Sequence, residues 1–98
     1  MTIWKNSRSD VYYSDALPDL NDLGYEVRIT IDEIVISYQG EVGWVNYTGK
    51  DLGAGHFELT SPEVNGRAML HRLPESDILE GNWSENGAHG MWRVYLID

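Results

Sequence analysis

From Tyr25 onward the chain alternates apolar and polar residues with a period of two, and short turn-forming clusters interrupt the pattern at regular intervals. Tyr25-Glu26-Val27-Arg28-Ile29-Thr30-Ile31 alternates without error, as a strand with one buried face must. Val27, Ile29 and Ile31 are therefore expected inside, with Glu26, Arg28 and Thr30 in solvent. Asp32-Glu33 predicts a tight turn, because Ile34-Val35-Ile36-Ser37-Tyr38 begins at once. Gln39-Gly40 ends that run, and a further strand is expected from Val42 to Tyr47. A glycine-rich connection, Gly49 to Gly55, leads to His56-Phe57-Glu58-Leu59-Thr60. Pro62 and Asn65-Gly66 mark the next loop, and Asn-Gly is a strong short-range hairpin signal. Strands follow from Arg67 to Arg72, Ile78 to Glu85 and Met91 to Ile97, separated by Leu73–Asp77 and Asn86-Gly87.

An N-terminal strand at Ile3-Trp4 or at Val11-Tyr12-Tyr13 brings the count to about eight. Hairpins joined by such short links make an antiparallel up-and-down meander, since parallel crossovers need longer connections. An open meander leaves two sticky edges. Closure removes them, and eight strands enclose an interior that side chains just fill or that holds one small ligand. The expected fold is thus all-β, a small closed or nearly closed barrel spanning residues 1–98, with a flattened sandwich as the alternative. One segment departs from the pattern. Ala16-Leu17-Pro18-Asp19-Leu20-Asn21-Asp22-Leu23-Gly24 has leucines three apart and a terminal glycine, which predicts one short helical turn.

Ninety-eight residues suffice for one core and are too few for two. No apolar run is long enough to cross a bilayer as a helix. The polar start, Met1-Thr2-Ile3-Trp4-Lys5-Asn6, lacks a secretion signal and leads to the expectation of a cytoplasmic protein without membrane attachment. The chain contains no cysteine, which removes disulfides, thiolate metal sites and thiol catalysis together. The formal charge of −9 argues against direct nucleic-acid binding, which needs a basic footprint, and permits a basic protein partner. Asp10, Asp15, Asp19 and Asp22 have no basic residue between them, so part of this charge is local.

Trp83 and Trp92 occupy the two arms of one predicted hairpin near its turn, and Trp44 adds a third ring from an earlier strand. Large rings of this kind serve core packing, a ligand-stacking wall or a partner surface. Strand parity favours Leu79, Gly81 and Trp83 inside in the seventh strand, and Trp92, Val94 and Leu96 in the eighth. In the sixth, Met69, His71 and Leu73 offer better volume than Ala68, Leu70 and Arg72, which would place an imidazole inside. An interior imidazole requires a hydrogen-bond partner or a ligand. No metal site is expected, because His56, His71 and His89 form no close-spaced pair. No Gly-x-Ser-x-Gly elbow surrounds any serine, and Glu80 and Glu85 form no distinctive carboxylate pair. No catalytic residues and no cofactor are expected.

A tryptophan near the N-terminus, an antiparallel meander and a last strand bearing an arginine resemble the calycin group of lipocalins and avidins. The resemblance implies that Trp4 and Arg93 stack on each other at a closed barrel end, as the corresponding pair does in that group. Thr2 stands where lipocalins have the glycine of Gly-x-Trp, and this chain is shorter than a typical member.

Three functions are open at this point. One is a non-enzymatic binding barrel for an apolar or amphipathic small molecule, lined by Tyr38, Trp44, Phe57, His71, Trp83 and Trp92. Another is an acidic interaction or inhibitor protein that docks on a basic protein through Asp10, Asp15, Asp19 and Asp22. The last is a structural domain with a filled core.

Overall fold

Alternation and turns translate directly into strands. The structure, a computed structural model, describes residues 1–41 and 43–98. It contains β1 (Thr2–Tyr13), β2 (Asp19–Ile29), β3 (Glu33–Gly40), β4 (Gly43–Asp51), β5 (His56–Ser61), β6 (Gly66–His71), β7 (Ile78–Glu85) and β8 (Ala88–Tyr95), with a short 3-10 turn at Pro62–Val64. Each strand pairs antiparallel with the next, and β8 returns to β1 from Arg8↔Tyr95 to Tyr13↔Gly90. The meander therefore closes into a barrel, and neither end strand is left as a free edge. Val42, the expected start of the fourth strand, lies outside the described residues. Among those described, no helix is long and apolar enough to cross a membrane.

The interior is filled by the inward parity of every strand. Val27, Ile34, Ile36, Leu70, Leu79 and Val94 are fully buried there, with Phe57, Leu59 and Leu96 packed among them. The seventh and eighth strands bury Leu79, Trp83, Trp92, Val94 and Leu96 as expected, with Gly81 half-buried between them. The sixth departs from expectation. Gly66, Ala68 and Leu70 face inward and His71 is exposed. Volume was the wrong criterion for one strand taken alone, because large rings from its neighbours fill the space: Ala68 sits opposite Trp83, and Gly66 lies against Tyr47. On the outside, His71 pairs its imidazole with that of His56 on β5.

Two other expectations are corrected. Ile31 is 98% exposed, because the β2–β3 turn falls one residue earlier than Asp32-Glu33. The Thr30 amide donates to the Glu33 carbonyl and the Glu33 amide to Thr30 Oγ1, so Ile31 and Asp32 form the hairpin tip. The pairing of Trp4 with Arg93 is also not formed. Inward Trp92 and Val94 force Arg93 outward, where its Nε donates to Glu80 at 2.9 Å. Trp4 lies below the β1–β8 pairing, opposite Val27, and the Arg72 guanidinium sits 5.2 Å from its ring centre instead.

The two barrel ends differ. The Thr30–Asp32, Leu52–Gly55 and Arg72–Asp77 connections gather at one end with both termini, by the alternation of strand direction. The Ser14–Pro18 connection, Glu41, Pro62–Asn65 and Asn86-Gly87 gather at the other, which forms the mouth.

Candidate functional site

The segment expected to be a helical turn runs from the β1–β2 connection into the first part of β2, and it shapes the mouth. Ser9 pairs with Asp22 and Val11 with Asp19, so two residues of β1 span three of β2; the step from Ser7↔Tyr25 to Ser9↔Asp22 does the same. Each step is a bulge carrying one extra residue. Asn21 (φ 59°) and Gly24 (φ 85°) supply the left-handed backbone that such bulges use. Two bulges in succession turn a repeat of two into a repeat of three. That repeat mimics a helix in the sequence, yet here it aims Asp19, Asp22 and Tyr25 the same way, into the barrel mouth. Leu17, Leu20 and Leu23 are left exposed.

The mouth holds a cleft of about 160 Å³ lined by Val11, Tyr13, Asp19, Asp22, Tyr25, Tyr38, Tyr47, Trp83, Glu85 and Trp92. Its wall is aromatic. Tyr25 lies 4.9 Å from Tyr38 and 6.4 Å from Trp92, and Tyr47 meets Trp92 edge-on at 5.2 Å. Tyr13 meets Trp83 edge-on at 5.5 Å, within the range where aromatic pairs attract. The Trp83 indole N–H is held by the carbonyls of Tyr12 and Met91, both at 3.2 Å. That of Trp92 has no hydrogen-bond partner among the described residues.

Three carboxylates rim this wall, and each accepts a hydrogen bond from a phenol. Tyr13 donates to Asp19 at 2.6 Å, Tyr25 to Asp22 at 3.1 Å and Tyr47 to Glu85 at 2.6 Å. The bond to Asp19 pushes the Tyr13 phenol up to about 12. Burial raises those of Tyr25, Tyr38 and Tyr47, and neighbouring carboxylates add to the effect. These phenols thus remain protonated donors at neutral pH. Among the described lining residues there is no Lys, Arg or His.

The residues expected at a ligand site separate into two groups. Tyr38, Trp83 and Trp92 line the cleft. Phe57 belongs to the filled core, paired opposite Leu70 and Asp51 towards the other end. Trp44 is 59% exposed on the outer face of β4, and His71 is outside as well. The four aspartates also divide. Asp19 and Asp22 face the cleft, and Asp15 stands exposed on the β1–β2 connection. Asp10 is buried on the outer side of β1, where it accepts the Asn21 amide and the Tyr95 hydroxyl, both at 2.9 Å. The amide bond is the main cause that holds its carboxyl below the usual range.

Tyr13, Tyr25, Tyr47 and Glu85 complete the cleft without having been singled out in the sequence. A signal was present for one of these tyrosines: Tyr25 sits at the mouth end of the inward-facing run Tyr25-Val27, as the expected site residue Tyr38 does for Ile34-Ile36-Tyr38. Glu85 carries no such signal. No three His, Asp or Glu side chains among the described residues group closely enough to hold a metal ion.

Comparisons with models of protein families, with curated proteins and with solved structures find no match. The closed eight-stranded meander is compatible with calycin-like architecture, and the likeness stops at architecture.

Proposed function

We propose that this protein is a non-enzymatic binding barrel that takes one small amphipathic group at its mouth. The observation that carries this reading is the aromatic cleft. Four rings, Tyr25, Tyr38, Tyr47 and Trp92, surround open space at one end of a barrel whose remaining interior is packed. Its size narrows the ligand. A cavity of about 150 Å³ takes a molecule the size of benzene, whereas drug-sized ligands need roughly 300 Å³ or more. The cleft therefore suits a head group or a short side chain rather than a fatty acyl chain.

Trp83 and Trp92 make the reading testable by intrinsic fluorescence. Small amphipathic molecules are expected to change the emission saturably. Val11→Phe, which fills the cleft while leaving every rim carboxylate and phenol in the sequence, is expected to abolish that change. A saturable response that persists in Val11→Phe places binding elsewhere and overturns the reading.

A second reading has its own observation. The β1–β2 hairpin exposes Leu17, Leu20 and Leu23 beside Asp15, an apolar and acidic surface that suits docking on a basic protein. Binding to such a partner is expected to weaken steeply with salt and to be lost in Leu20→Ser with Leu23→Ser. A partner insensitive to both removes this reading.

A further inference from the structure

We infer that the group taken at the mouth is an alkylated ammonium, a methylated quaternary or tertiary head group held by aromatic faces under a carboxylate rim. This rests on the proposed binding role of the same cleft and names its ligand chemistry.

Three features of the cleft act together. Asp19, Asp22 and Glu85 bring three carboxylates to one opening with no base among the described lining residues. Asp15, Glu41 and Glu63 stand in connections at the same end and add to the negative potential. Each rim carboxylate receives one phenol hydrogen and has acceptor capacity to spare. An anion is repelled by this arrangement. A purely apolar occupant would cover carboxylates and strip them of water without compensation. A cation both answers the charge and tolerates the walls.

The walls then choose among cations. A positive charge over the face of tyrosine or tryptophan is attracted by the ring quadrupole, and aromatic cages use this to take quaternary ammonium groups. Phenols that donate to carboxylates have electron-richer rings, which strengthens that attraction. A primary ammonium is strongly hydrated and has three donors to satisfy; the rim carboxylates can accept from it, but any donor turned to the ring faces meets no acceptor. An alkylated ammonium carries the same charge beneath an apolar skin. The volume of about 160 Å³ accommodates such a head group.

The chemistry has two sources, a free small molecule or a methylated lysine side chain of another protein. The experiment titrates the full chain with choline, with its neutral carbon isostere in which a tert-butyl group replaces the trimethylammonium, with ethanolamine, with tetramethylammonium and with a trimethyllysine peptide. Tryptophan emission and NMR shifts of Tyr25, Tyr38 and Trp92 report binding. Choline is expected to bind at least about tenfold more tightly than its isostere, the free-energy equivalent of roughly 1.4 kcal/mol. Ethanolamine is expected to bind more weakly than choline. Asp22→Asn and Glu85→Gln, which keep an acceptor for the phenols, are expected to weaken choline several-fold and leave the isostere unaffected. Equal affinity for choline and isostere overturns the cation inference while the amphipathic cleft stands. No binding by any of the five overturns both. If choline prevails, a peptide tighter than tetramethylammonium assigns the head group to a protein, and equal affinity assigns it to a free molecule.

Discussion

The phenol of Tyr47 on β4 donates to Glu85 Oε2 on β7 at 2.6 Å, a bond across the bore between strands that are not neighbours in the sheet. It holds the ring of Tyr47, itself almost fully buried, as one wall of the mouth cleft. Gly66 on β6 makes the arrangement possible, because a Cβ at that position would overlap the Tyr47 hydroxyl.

Gly66→Ala is therefore expected to destabilise the barrel by about 1–3 kcal/mol through overpacking. Tyr47→Phe removes one hydrogen bond to a charged acceptor and is expected to cost about 1.5–3 kcal/mol. Denaturant unfolding of the two single variants and the double variant separates the effects. The cost of Gly66→Ala should shrink in the Tyr47→Phe background, because the displaced hydroxyl is gone. Strict additivity would mean that the alanine acts elsewhere.

Asp10 supports the hairpin that carries Asp19 and Asp22, since it accepts the amide of Asn21, the first bulge residue. Asp10→Ala leaves that amide and the Tyr95 hydroxyl without their acceptor, and it is expected to cost about 1.5–3 kcal/mol. The pH dependence follows from the depressed carboxyl. Its stabilisation is present above the ordinary value of 3.8 and is lost as pH falls through the lower folded value. Asp10→Asn should accordingly flatten the acid limb of the stability profile below about pH 4. An unchanged acid limb would show that other carboxyls govern it.

The buried phenols set the alkaline limit. Tyr25, Tyr38 and Tyr47 all ionise above the ordinary value of 10.0 in the folded barrel. Stability is flat with respect to these groups below that value. It falls above it, because the unfolded chain releases their protons first and the folded chain only at its raised values. Each contributes a slope of up to about 1.4 kcal/mol per pH unit. Their tyrosinate absorbance is expected to rise together with the loss of far-ultraviolet dichroism. Full ionisation of all six tyrosines while the dichroism stays native would contradict the burial of the cleft wall.

The alternation in β2, β3, β7 and β8 was enough to read the barrel and the inward faces of those strands, because a strand half in contact with a core must repeat every two residues. Asp19 and Asp22 were not readable that way. The spacing of three that links them to Tyr25 belongs to a helix by rule, and here it comes from Asn21 and Gly24 bulges whose effect depends on pairing with β1. His71 was misplaced for a related reason: the space open to β6 is set by Trp83 and Tyr47 on other strands, which no local volume comparison includes. Trp92, Trp83 and Tyr38 were recognisable as inward rings near turns. Glu85 at the end of β7 was not, since its role depends on Tyr47 reaching it across the bore.

Arg72 and Arg93 test the closed end, where the calycin likeness implied a stacked pair that the barrel builds from a different arginine. Arg72 is half-buried, with its Nε donating to the Ser76 carbonyl at 2.7 Å and its guanidinium 5.2 Å from the Trp4 ring centre. Arg93 is partly exposed and paired with exposed Glu80. An exposed pair of this kind is screened by solvent and contributes little, so Arg93→Lys and Arg93→Ala are both expected near wild-type stability. Arg72→Lys keeps the charge yet loses the planar stacking and the oriented Nε–H. It is expected to cost about 1 kcal/mol, and Arg72→Ala about 1–2 kcal/mol, from the combined cation–π contact and hydrogen bond. The indole NMR signal of Trp4 supplies a second readout that should shift in the Arg72 variants and stay constant in those of Arg93. A larger loss at Arg93 than at Arg72 would contradict the assignment of Arg72 as the arginine that supports Trp4.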